Sequence, residues 1–135
     1  MKKGKKAEYL KYRGHARELA HRKVGEFCAI YNFKCNKIAI RNQKTRWGSC
    51  SKRGNLNFSY RIALLPPHLS NYIIAHEVCH LGEFNHSKNF WNLVARTIPD
   101  YAKLRKELNQ KGRIMLQWSY VKNYFISKKK SIYNY

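Results

Sequence analysis

Two imidazoles and a carboxylate stand within five residues at His76-Glu77-Val78-Cys79-His80. On a helix, His80 lies about 40° round from His76 and about 6 Å further along the axis, so both rings leave one face and can grip a single ion. Zinc suits imidazole nitrogens at about 2.0–2.1 Å, and a catalytic zinc site uses three protein ligands with one position left open. Glu77 sits beside the pair, where a carboxylate can take a proton from a water that the ion has acidified. The third ligand must come from Glu83, His86, Asp100 or a residue further off, since the strands hold no carboxylate. Were the helix to continue, Glu83 would stand about 4.5 Å beyond His80 along the axis, an awkward reach for the same ion. His86 can swing back once the chain turns at Gly82, so geometry favours it. The extended pattern H-E-x-x-H-x-x-G-x-x-H has the same histidine spacing with its glycine one position later. His15, His21 and His68 have no partner pattern around them and read as solvated side chains.

The motif needs a helix, and the chain provides for one. Pro66-Pro67 marks a helix start, because proline is tolerated in a first turn, and Gly82 marks a stop, because glycine accepts the left-handed conformation. The predicted helix runs from about 67 to 82. Ser87 reads as the N-cap of another, with Phe90, Trp91, Val94 and Ile98 on its inner face. Pro99 opens a last one carrying Tyr101, Leu104 and Leu108. Ahead of the motif, Ala16, Ala20, Val24, Phe27 and Tyr31 recur at helical spacing and predict an amphipathic helix over 13–32. Lys37–Arg41, Thr45–Ser51 and Asn55–Ser59 alternate with period two between turn-forming residues, which predicts three short strands in an antiparallel meander.

Composition bounds the rest. The chain has 135 residues, of which 31 are Leu, Ile, Val or Phe, enough for one modest core. Residues 1–13 begin basic but lack the apolar run of a secretory signal. No stretch approaches the roughly 18 apolar residues of a membrane span. Cys28, Cys35, Cys50 and Cys79 show no C-x-x-C spacing, so free thiols and a cytoplasmic location are expected. With 28 Lys and Arg against 7 Asp and Glu, the formal net charge is +21. The fifty residues from Phe27 to His76 hold no carboxylate. Such a charge attracts polyanions at long range and admits nucleotides or nucleic acid as partners.

Arg46-Trp47-Gly48-Ser49-Cys50, Leu64-Leu65-Pro66, the run HEVCHLGEFNHSKNFW over 76–91 and Pro99-Asp100-Tyr101 together resemble the YgjP-like metallopeptidase domain family, predicted metal-dependent hydrolases related to the SprT and WLM groups. The resemblance spans roughly residues 13–108. It implies an α+β, minimal zincin-like domain: an N-terminal helix, a small three-stranded antiparallel sheet, the active-site helix and two further helices. It also implies Zn2+ held by His76, His80 and His86, with Glu77 as general base. On this reading 1–12 form a basic N-terminal segment, 13–111 the metallohydrolase domain and 112–135 a basic, aromatic tail.

The activity expected is zinc-dependent hydrolysis, with a peptide or protein as the leading substrate class. A strand ahead of the metal helix forms one wall of a cleft, where an extended peptide can pair with its edge, and Arg46 is the candidate substrate-binding residue there. Trp47, Cys50 and Cys79 read as core. A second oxyanion donor is expected, with Arg61, His68 and Tyr101 as candidates. Two alternatives follow from the charge: a nucleotide pyrophosphatase on the same zinc site, and a nucleic-acid-associated module whose binding would weaken steeply with salt. Against the first stands the lack of a phosphate-cradling glycine loop. The tail after Gly112 reads as a docked element, a nucleic-acid contact or an interfacial anchor.

Overall fold

The computed structural model describes residues 3–43 and 45–119, without the side chains of residues 3, 5 and 112–119. Among the described residues, four helices and a three-stranded sheet follow in the order α1 (Lys3–Tyr31), β1 (Lys37–Arg41), β2 (Gly48–Cys50), β3 (Asn55–Ser59), a 3-10 helix (Tyr60–Leu64), α2 (Pro67–Cys79), α3 (Lys88–Thr97) and α4 (Tyr101–Ser119). The architecture is α+β, as expected.

α1 buries the five residues whose spacing predicted it, Ala16, Ala20, Val24, Phe27 and Tyr31. The two alanines are fully enclosed, and their small size lets the helix approach the 3-10 helix and α2 closely. It is ten residues longer at its start than the apolar pattern predicted. Tyr60 Oη donates to Glu8 at 2.7 Å, which ties down this early, mostly solvent-facing stretch. Asn32 ends the helix in the left-handed region (φ 58°), a conformation asparagine tolerates better than most residues.

The sheet departs from the expected meander. Its order is β1-β3-β2, with β1 parallel and β2 antiparallel to β3. β2 and β3 form the predicted hairpin, turned at Gly54 (φ 82°), whose N–H reaches Ser51 O at 2.9 Å. After β1, however, the chain crosses to the far side of β3 before forming β2. Period-two alternation decides which face a residue takes and is silent on which strand becomes its neighbour. β2 is also shorter than the predicted 45–51.

α2 lies at the centre, against α1, α3, α4 and the sheet. Every residue from Tyr72 to Cys79 is buried. Pro67 occupies its first turn as predicted, but the helix stops at Cys79, three residues early, in a turn where Gly82 N and Glu83 N both reach Cys79 O. Gly82 is not in the left-handed region. Its small size is needed for a different reason, since a Cβ there would lie 2.5 Å from Cζ of Phe33. Ser87 caps α3 as predicted, its Oγ accepting from Phe90 N.

The four cysteines are free thiols. None of the described helices is long and apolar enough to cross a membrane. The tail predicted from Gly112 begins as the last turns of α4, and its remainder from 120 onward lies outside the described residues.

Candidate metal centre

His76 is on the last full turn of α2, and His80 caps that helix in right-handed geometry, so the helical spacing survives. The turn at 80–83 then reverses the chain. It brings His86 back immediately before α3, so that one ring rides on the helix and two on its exit. The three Nε2 atoms stand 3.2 Å (His76 to His80), 3.2 Å (His80 to His86) and 3.1 Å (His76 to His86) apart.

Three ring nitrogens at such separations converge on one point. An ion about 2.0–2.1 Å from each nitrogen of a triangle with these sides would see them at roughly 100° to one another, close to tetrahedral. The donor set therefore fits zinc. His80 Nδ1 lies 2.9 Å from Glu83 O, and a carbonyl can only accept. Nδ1 therefore holds the proton and Nε2 the lone pair, the arrangement a ligating histidine requires. Burial holds His76 well below the usual histidine range, helped by His80, His86 and Arg105; it lowers His80 and His86 too, with Arg105 adding to the effect on His86. Ligation needs neutral imidazoles.

Phe90 supports all three rings. Fully buried, it has its ring centre 4.9, 4.3 and 5.1 Å from those of His76, His80 and His86. Trp91 stacks against His86 at 5.9 Å and Tyr101 at 5.0 Å. Of the predicted inner stripe of α3, Phe90 and Val94 are core, while Trp91 and Ile98 are half-buried against it, and Phe90 and Trp91 form the platform beside the histidines.

Glu77 is 2% exposed and faces β2, where a Cβ on Gly48 would come within 3.0 Å of its Cγ. Its charge is felt on both sides. Cys50 is pushed up to about 12 by burial, then by Glu77 and Cys35; Tyr72 is raised by burial, with Glu77 contributing and Arg105 opposing.

Of the other candidates, Glu83 contributes its main-chain carbonyl to His80, and its carboxylate is outside the histidine group. Asp100 is exposed at the entry to α4 and is likewise outside it. Arg46 is exposed just ahead of β2, while Trp47 and Cys79 are core as predicted and Cys50 is half-buried. Arg61 is buried, donating to Gln43 O at 2.8 Å over the Tyr60 ring, and His68 pairs with Glu107 at 3.0 Å. Tyr101 is held near the histidines through Trp91. Two neighbours had no place in the sequence reading. Tyr72 is one turn before His76 on the same face, its ring 6.0 Å away, a spacing that could have revealed it. Arg105 lies over Trp91 at 5.0 Å, a contact with no local sequence signal.

A solved structure, the metallopeptidase zymogen abylysin of Pyrococcus abyssi, superposes on the chain with a TM-score of 0.62 at 21% identity, covering 68% of this chain and 93% of that one. The likeness is one of fold. No curated protein matches the chain. The YgjP-like metallopeptidase domain matches residues 2–111, which takes in α1, the sheet, the three histidines and most of α4. This chain belongs to the YgjP-like metallopeptidase domain family.

Proposed function

We propose that the chain is a zinc-dependent peptidase in which His76, His80 and His86 hold the ion and Glu77 is the general base. The observation that carries the reading is the convergence of three Nε2 atoms, 3.1–3.2 Å apart, beside a buried glutamate. When bound, zinc supplies Lewis acidity, acidifying water and polarising a carbonyl. The chain's own residues do the rest. Glu77, fixed between β2 and α2, accepts the proton of the attacking water on its carboxylate and returns it to the departing amine. Tyr72, held protonated by its surroundings, remains a hydrogen-bond donor beside His76. β2 stands at the sheet's edge with Arg46 ahead of it, so an extended peptide can align by strand pairing while Arg46 contacts it. Burial of His76 and Phe90 keeps the back of the site dry and the ligands neutral.

The test sets an unfolded protein and a panel of nucleoside triphosphates side by side before the zinc-loaded protein, each with a Glu77→Gln control. Cleavage of the protein substrate, reduced by about 10²- to 10⁴-fold in Glu77→Gln with zinc retained, is the expected result. Full activity in zinc-loaded Glu77→Gln would remove the glutamate from its role. Hydrolysis of triphosphates alone would replace the peptidase reading with a phosphoanhydride one.

A further inference from the structure

Arg105 stands on α4, one turn after Tyr101. Its guanidinium carbon is 5.0 Å from the centre of the Trp91 ring, and that same ring centre is 5.8 Å from His76 and 5.9 Å from His86. The cation therefore shares a platform with two of the three histidines. Its charge also reaches Tyr72.

Among the described residues, Arg105 takes no part in the ion pairs Lys23–Glu26, His68–Glu107 and Lys111–Glu107. Its Nε is buried without a hydrogen-bond partner. A buried donor left unmade is costly, and a guanidinium over an aromatic face offers a planar fork suited to a two-oxygen acceptor. By contrast, Arg61, the other deeply placed arginine, spends its guanidinium on Gln43 O.

We infer that Arg105 is a substrate-binding residue that takes a carboxylate of the peptide beside the metal centre. One guanidinium matches one carboxylate in charge and in bidentate geometry. The carboxylate is either the peptide's C-terminus or an Asp or Glu side chain, and Trp91 supplies the flat surface that orients the fork. The inference rests on the peptidase reading.

Calorimetry with three N-acetylated amino acids separates the outcomes: N-acetyl-phenylalanine, its amide, and the α-amide of N-acetyl-aspartic acid, whose only free carboxylate is on the side chain. Each is titrated into metal-free and zinc-loaded full-length protein, wild type, Arg105→Gln and Arg105→Lys. The free acid is expected to bind about 10- to 100-fold more tightly than the amide in both metal states. Arg105→Gln erases that gap, and Arg105→Lys, which keeps the charge without the fork, restores part of it. If the aspartyl α-amide binds like the free acid, a carboxylate at either place is taken; if only the free acid gains over the phenylalanine amide, it is the terminus; if only the aspartyl α-amide gains, it is a side chain. Equal binding of all three ligands, a gap that survives Arg105→Gln, or a gap confined to the zinc-loaded form would each overturn the assignment. Hydrolysis of matching peptides is followed in the same series. An Arg105-dependent binding gap without any hydrolysis would retire the peptidase reading and leave the carboxylate subsite standing.

Discussion

Gly48 is where the sheet meets Glu77, and replacing it with alanine perturbs that contact together with the neighbouring strand β3. A Cβ there would lie 2.9 Å from Asn57 O, 3.0 Å from Glu77 Cγ and 3.2 Å from Phe58 Cδ1. Carbon atoms rest about 3.5–4.0 Å apart, so Glu77 must retreat by about 0.5–1 Å. A displacement of 1 Å in a catalytic group can cost about 100-fold, which sets the expected loss in kcat/KM at about 10- to 100-fold. Overpacking adds a stability loss of about 1–3 kcal/mol. At about 4 °C per kcal/mol, the melting temperature falls by about 4–12 °C. The three atoms nearest to that Cβ belong to Asn57, Glu77 and Phe58, so zinc affinity, measured by competition with a chelating dye, is expected to stay within a few-fold of wild type. Melting, zinc titration and peptide hydrolysis on one preparation give all three numbers. Wild-type turnover in Gly48→Ala would show that the glutamate's position does not depend on this contact, and a proportional loss of zinc would show that the damage runs through the ligands instead.

Three further outcomes follow from the geometry. His86 is exposed and follows the helix rather than belonging to it, so His86→Ala should leave the melting profile of the metal-free protein nearly unchanged while lowering zinc affinity by more than the roughly 10- to 100-fold that loss of an outer-shell partner costs. Ser87→Ala removes the cap on Phe90 N and should cost about 1 kcal/mol in chemical denaturation; an unchanged midpoint would mean that the cap carries no net stability. Burial is the leading cause that raises Cys28 and Cys79 to about 11 and Cys50 to about 12, from an ordinary value of 9.0. Unfolded thiols therefore release protons from about pH 9 while the folded ones hold theirs, so the unfolded state binds fewer protons between about pH 9 and 12 and stability falls as pH rises through that window. Denaturation midpoints at pH 8 and pH 10.5 check this, and slow thiol labelling at pH 8 that turns rapid in denaturant should accompany it.

The three clustered histidines were legible because they obey local rules. His76 and His80 are four residues apart on a helix, and His86 was reachable once the chain reversed near Gly82. The reversal happens, though by a turn that ends α2 at Cys79, and Gly82 is there to make room for the Phe33 ring. Spacing alone could not distinguish these two uses of glycine, since the second depends on a residue 49 positions earlier.

The buried face of α1, the cap at Ser87, the proline start of α2 and the paired histidines all lie in short stretches of chain, where 3.6-residue periodicity and capping chemistry act before any distant contact forms. Sequence by itself determined those. Tertiary structure decided what depends on residues remote in sequence: that β1 runs parallel to β3 and leaves β2 at the edge, that Gly48 presses on Glu77, that Phe90 underlies all three imidazoles and that Arg105 reaches Trp91. Strand order and cross-element contacts are set by the packing of whole faces against one another, and a periodic pattern specifies the face without naming its partner.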